Sequence, residues 1–275
     1  MNERKYRLII SDFDGTFFRS DHTIATENVD AVRKFVASGG IFVLSTGRPL
    51  QSIRPIAQSI GLKGLIAAFN GSVVADIESG ELLLKNTFSP DEVVEICEVL
   101  QECGLYTQIY EIDRYYASER NDHLAYYEKV TGQKAVVSEI PMSEFARKNS
   151  IASLKILTII KPEERAYYFE KLQEKLGDKW YLTSGGRNLI EICVKGFSKG
   201  TAVEFLANRY GVAIEDTLAV GDSLNDLPML KTAGKGIAVK NAEDALKNEV
   251  FVYGYTNDEN AVARIIEEYG YTGDK

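Results

Sequence analysis

The feature that most constrains this chain is a recurring type of apolar run. Residues 6–10 (YRLII), 41–45 (IFVLS) and 65–69 (LIAAF) are short and nearly continuous in hydrophobicity. A strand that is apolar on both sides must be covered on both sides, and helices between such strands imply a parallel sheet. Helical spacing does occur between them. Residues 26–38 place Val29, Val32 and Val36 on one stripe before Gly39-Gly40, and Pro49 opens a second helix ending near Gly61. The same rhythm returns late in the chain. A helix after Gly200 carries Val203, Leu206 and Tyr210 and stops at Gly211. Residues 217–220 (TLAV), 236–239 (GIAV) and 250–253 (VFVY) read as strands, and 260–268 as a closing helix.

Between these halves the pattern changes. Ser89-Pro90-Asp91-Glu92 is a capping box with proline at the first helical position. Tyrosine-rich alternation comes next at 105–116 (LYTQIYEIDRYY), then a strand at 156–160 (ILTII) and a helix from Pro162. Residues 180–194 (WYLTSGGRNLIEICV) read as a hairpin turning at Gly185-Gly186. A length of 275 residues suits about two domains. The expected plan is α/β: a doubly wound parallel-sheet core over 1–84 and 188–275, with an α+β unit inserted at 85–187.

Composition narrows the classes of function. The net charge of −8 argues against a general nucleic-acid binder, which needs a basic face, but permits a small anionic substrate held by local cations. No apolar run reaches the ~18 residues of a membrane span. The start, MNERKYRLII, has no apolar h-region and no small-residue cleavage site, so no signal peptide is expected. Cys97, Cys103 and Cys193 are odd in number and fit neither a zinc ribbon nor C-x-x-C, so buried free thiols in a reducing cytoplasm are expected.

In doubly wound sheets ligands bind beyond the carboxyl ends of the strands. The residues just beyond each apolar run are therefore informative. After the first run come Asp12-Phe13-Asp14-Gly15-Thr16, after the second Thr46-Gly47-Arg48, after the third Asn70-Gly71-Ser72, and after TLAV Gly221-Asp222-Ser223-Leu224-Asn225-Asp226. Lys199 stands at the start of a helix. Asp12, Asp14, Asp222 and Asp226 can gather at one sheet edge with Lys199 and Thr46 beside them. Such a cluster needs a cation, and oxygen-only donors suit Mg²⁺. A hydroxyl, a lysine and backbone N–H groups are the parts of a phosphoryl site. A carboxylate can attack phosphorus, and a second carboxyl can manage the proton.

DFDGT, STGR, SKG and GDSLNDLPM, in that order, resemble the four motifs of the haloacid dehalogenase-like (HAD) phosphatases. The insert resembles their type II cap, and FNGS and GIAVKNA resemble the Cof-like sugar-phosphatase branch. The resemblance covers essentially the whole chain. It implies Asp12 as nucleophile and Asp14 as general acid/base, with Thr46 and Lys199 on the transferring phosphoryl group. It further implies Mg²⁺ held by Asp12, Asp222 and the Asp14 backbone carbonyl, with Asp226 in support. Asn225 would contact the phosphoryl group or Lys199. Gly15, Gly47, Arg48 and Asn70 complete the expected phosphate and substrate set. The implied activity is a Mg²⁺-dependent phosphatase of small metabolites, sugar phosphates foremost, through an aspartyl-phosphate. A phosphotransferase such as a sugar-phosphate mutase, or a non-catalytic phosphate-binding module, are the alternatives. One departure stands at NDENAVA, where the family commonly has a glycine before Val-Ala.

Other features have plainer readings. Gly196-Phe197-Ser198-Lys199-Gly200 matches G-x-S-x-G between a strand and a helix, but both histidines, His22 and His123, precede Ser198, so the serine-hydrolase order is not met. Lys195 and Arg187 read as solvated charges, both histidines as surface residues, and the tyrosines of 105–127 mostly as core of the insert.

Overall fold

The computed structural model describes residues 5–271; the charged start at 1–4 lies outside the described residues. The central sheet has five parallel strands, in the order Phe251–Val252, Lys235–Ala238, Thr217–Gly221, Leu8–Ser11 and Ile41–Leu44. The chain runs outward from Leu8–Ser11 in one direction first and in the other later. The order therefore reverses between Leu8–Ser11 and Thr217–Gly221, which opens a crevice at their carboxyl ends. Helices Thr26–Ala37 and Ala261–Tyr269 pack together, as do Lys199–Tyr210 and Leu227–Thr232.

The third apolar run departs from a purely parallel scheme. Leu65–Ala68 meets the core sheet through a single parallel bridge, Ser45 to Ala67, and continues as an antiparallel three-stranded sheet with Val73–Asp76 and Leu82–Lys85. Between its first two strands, Phe69, Asn70 and Gly71 all adopt positive φ. Gly71 is obligatory there, since a Cβ would lie 2.3 Å from the carbonyl oxygen of Ser198.

The first helix turns a different face inward from the valine stripe. Asn28, Ala31, Val32 and Phe35 are buried, while Val36 is 48 % exposed. The buried asparagine explains the rotation. Its Nδ2 donates to the Phe17 carbonyl at 3.2 Å and its Oδ1 accepts from the Ala263 N–H at 3.0 Å, tying the first and last helices. Phe35 on the same stripe also buries more apolar area than Val36 could. At the last helix, Asn260 holds φ +61°, ψ +42° before Ala261. That left-handed conformation is what a glycine would supply most readily, and asparagine is among the side chains that tolerate it.

The inserted cap is a six-stranded sheet ordered Tyr181–Thr183, Leu189–Cys193, Lys155–Ile159, Gln108–Tyr110, Tyr115–Ala117, Val136–Val137. All neighbours are antiparallel except the last pair. By sheet membership we place the return to the core after Cys193 rather than at 188. Strand alternation gives this sheet two characters. Ile109, Ile156, Ile190 and Ile192 share a cluster with Val93, Ile96, Met142 and Leu172 from its helices. Tyr110, Tyr115, Leu157 and Ile159 belong instead to the cluster that includes the core. The capping box is formed, with Ser89 accepting from the Glu92 N–H and Glu92 from the Ser89 N–H. Cys97 and Cys193 are buried free thiols, pushed up to about 12 by desolvation, and Cys103 is half-buried. No helix of the described residues is long and apolar enough to cross a membrane.

Candidate active site

Asp12 and Asp222 are neighbours because their strands are. Leu8–Ser11 pairs with Thr217–Gly221 in parallel, Ser11 opposite Val220, so each strand ends by delivering an aspartate to the crevice. The Asp12 N–H continues the ladder by donating to the Val220 carbonyl at 2.8 Å. Carboxylate oxygens of Asp12, Asp222 and Asp226 lie within 4.8 Å of one another. Lys199, fully buried, donates from Nζ to Asp12 Oδ1 at 2.5 Å and to Asp226 Oδ1 at 2.6 Å. It sits at the first position of its helix because Ser198 caps it, accepting from the N–H groups of Gly200 and Thr201. The serine of the G-x-S-x-G match is thus a helix cap.

Asp226 is occupied on both oxygens. Oδ2 accepts from the N–H groups of Asp222 at 2.8 Å and Ser223 at 2.9 Å, which folds the loop, while Oδ1 accepts from Lys199. Thr16 Oγ1 donates to Asp222 Oδ1 at 2.7 Å. Gly15, at φ +76°, leaves the space in which Asp222 lies, for a Cβ there would be 2.5 Å from Asp222 Oδ2. Asp14 is half-exposed and paired with Arg48, whose Nε and Nη2 reach its two oxygens at 2.8 and 2.7 Å. The Arg48 guanidinium also lies over Phe13, at 4.9 Å. The Arg48 N–H donates to Thr46 Oγ1 at 3.1 Å.

Crowding shows in the electrostatics. Burial, then the charges of Asp226, Asp222 and Asp14, push the Asp12 carboxyl well above its ordinary range, against the pull of Lys199. Burial and Asp226 push Asp222 up to about 7. Burial would lower the Lys199 ammonium, but Asp12 and Asp226 hold it above its usual value. Three carboxyls against one ammonium leave an excess of negative charge that a divalent cation would offset. The donors are all oxygen, with no histidine or cysteine among them, which fits a hard ion such as Mg²⁺.

Asp12 and Asp14 open into a cavity of about 240 Å³ between core and cap, lined from the core also by Thr46, Gly47, Arg48 and Asn225. The cap side brings residues that apolar rhythm and motif spacing do not single out. Lys155 and Glu191 form a buried ion pair at 2.6 Å, each 2 % exposed. Lys155 Nζ also donates to the Gly47 carbonyl at 2.8 Å. Asn70 is buried too; its Nδ2 donates to Glu191 Oε2 at 3.1 Å and its Oδ1 accepts from Asn225 Nδ2 at 3.0 Å. The signal for the missed pair was available: each is the one charge in a buried apolar strand, KILTI and LIEIC. Tyr126, Tyr127, Leu157 and Ile159 complete the cap wall, with His22 at the exposed rim. A cap-to-core ion pair joins Arg165 Nη2 to Glu243 Oε2 at 2.9 Å. Arg187 is exposed, in a separate cavity beside Asp14 and Asp222.

Comparison with known proteins finds relatives over nearly the whole chain. The family model described as haloacid dehalogenase-like hydrolase matches residues 9–266. The phosphatase YwpJ of Bacillus subtilis (strain 168) is 30 % identical, with 95 % of this chain and 99 % of that protein covered. The 5-amino-6-(5-phospho-D-ribitylamino)uracil phosphatase YwtE of the same organism is 27 % identical over 95 % and 97 %. A solved haloacid dehalogenase-like hydrolase from B. subtilis superposes with a TM-score of 0.85 at 26 % identity, covering 95 % of this chain and 99 % of that one.

Proposed function

We propose a reaction course for a chain that belongs to the haloacid dehalogenase-like hydrolase family. The protein is a phosphoric monoester hydrolase acting on small phosphorylated metabolites. In the proposed course, an Asp12 oxygen attacks phosphorus and the bond to the leaving oxygen breaks. Asp14 gives that oxygen its proton. Asp14, now a carboxylate, takes a proton from water, whose oxygen attacks the phosphoryl group on Asp12. The bond to Asp12 breaks, inorganic phosphate leaves, and both carboxyls return to their starting state. Lys199 and Thr46 hold the phosphoryl oxygens in the attack geometry, and the cap wall excludes bulk water. Mg²⁺, held by Asp12, Asp222 and the Asp14 carbonyl, would supply neutralisation of the phosphoryl charge.

The observation that carries this reading is the buried meeting of Asp12, Asp222, Asp226 and Lys199 at the crevice, with Asp14 and Thr46 on the cavity that Asp12 lines. The pairing of Asp14 with Arg48 suits its carboxylate form, the base of the second half-reaction. In the first half Arg48 would swing toward the substrate and release it. A phosphorylated polyol or sugar is the substrate class we favour. The cavity is small, its wall mixes tyrosines with charged and amide groups, and YwtE is named for a phosphoribityl compound. Phosphate release from a panel of sugar, polyol and nucleoside monophosphates tests this. Asp12→Asn is expected to lower turnover at least about 1,000-fold with the fold intact. EDTA is expected to abolish turnover and Mg²⁺ to restore it. Substantial turnover by Asp12→Asn would remove Asp12 from the role.

A further inference from the structure

We propose that Lys155 is a positioning residue: from the cap it fixes the Gly47–Arg48 peptide unit, and through that unit the hydroxyl of Thr46. The inference rests on the phosphatase reading, in which Thr46 grips the phosphoryl group. Its ground is a closed ring of hydrogen bonds that begins and ends at Thr46. The Arg48 N–H donates to Thr46 Oγ1 at 3.1 Å. The carbonyl of the same planar peptide unit, that of Gly47, accepts from Lys155 Nζ at 2.8 Å. Lys155 is paired with Glu191 at 2.6 Å, and Glu191 accepts from Asn70 Nδ2 at 3.1 Å. The Asn70 N–H closes the ring on the Thr46 carbonyl at 3.0 Å.

The consequence for Thr46 is directional. A hydroxyl has one proton and two lone pairs. One lone pair is taken by the Arg48 N–H, and among the described residues the proton has no acceptor. Thr46 lines the same cavity as Asp12, so its free proton is available to a phosphoryl oxygen there. An ammonium on the Gly47 carbonyl polarises the amide and strengthens the Arg48 N–H as a donor. The peptide unit cannot rotate to offer another arrangement while Lys155 holds its oxygen. Two of the ring's members, Lys155 and Glu191, come from the cap strands Lys155–Ile159 and Leu189–Cys193. Seating the cap therefore completes the phosphoryl grip, and a displaced cap would leave Thr46 unset.

A buried ion pair that only stiffens the cap would account for the same burial. A double-mutant cycle separates the two roles. The paired change Lys155→Met with Glu191→Gln removes both charges, so neither is left buried alone. With para-nitrophenyl phosphate as substrate, the pair is expected to lower kcat about 10-fold, with KM moved less. Thr46→Ala alone should lower kcat roughly 100-fold. In the Thr46→Ala background, the paired change should cost less than about 2-fold, because the group it acts through is gone. An equal loss in both backgrounds, a change in KM alone, or a lowered Tm with kcat unchanged would overturn the proposal. Should the wild-type protein release no phosphate from any monoester while remaining folded, the phosphatase reading itself fails and this inference falls with it.

Discussion

Asp222 carries a cost that its proposed role as a metal ligand would offset. Buried beside Asp226, its carboxyl is pushed up to about 7 from an ordinary 3.8. A group raised in this way contributes stability that is complete below about 3.8 and is lost as pH rises through about 7. A bound Mg²⁺ would need the carboxylate, so in the proposed reading it should offset that loss most where it is largest. We expect the rise in Tm caused by Mg²⁺ to be greater at about pH 8 than at about pH 5.5, measured by calorimetry. At about 100 times its Kd the ion would add about 2.7 kcal/mol at the higher pH. An equal rise at both values would separate Asp222 from the metal. At this scale much of the site was legible. Asp12, Asp14, Asp222, Asp226 and Lys199 each come after an apolar strand or open a helix, so their positions can be read from hydrophobic pattern alone. Lys155 and Glu191 could not be placed that way. Their contacts cross between segments far apart in the chain, and a single charge in a strand does not say which partner it meets.

Elements were legible where local chemistry decides them. The capping box at Ser89, the glycine stop at Gly211 and the hairpin at Gly185-Gly186 all depend on near neighbours. The face of Thr26–Ala37 does not. It is set by Asn28 reaching Phe17 and Ala263, contacts invisible to periodicity. The strand Leu65–Ala68 likewise turns into an antiparallel sheet through the left-handed run at Phe69, Asn70 and Gly71. Asn260 allows a direct test of the backbone argument. It sits at φ +61° and accepts from Arg19 Nη2 at 2.7 Å. Asn260→Val should destabilise the protein by about 1–3 kcal/mol, since a branched side chain is strained at positive φ. Asn260→Gly, which loses only the hydrogen bond, should cost less. Urea midpoints would show the order, and kcat should not move in either variant.

At the scale of the whole molecule, the fold brings parts far apart in the chain into one site. The doubly wound order places Asp12 and Asp222 at the reversal of the sheet, and the hydrophobic rhythm of the two halves made that architecture readable. The cap closes the other side through the Lys155 contact with Gly47, the Arg165–Glu243 pair and a backbone bond from the Asn225 N–H to the Ser184 carbonyl at 3.1 Å. Its inner face is built by strand alternation, so the residues that would read a substrate are interleaved with those that hold the cap's own helices. The central claim remains chemical, that the phosphoryl group passes through Asp12. Rapid acid quenching of turnover with a ³²P-labelled substrate, then proteolysis and peptide mapping, tests it most directly. We predict a hydroxylamine-sensitive label on the peptide containing Asp12, absent from Asp12→Asn. A label on another residue, or one that persists in Asp12→Asn, would contradict it.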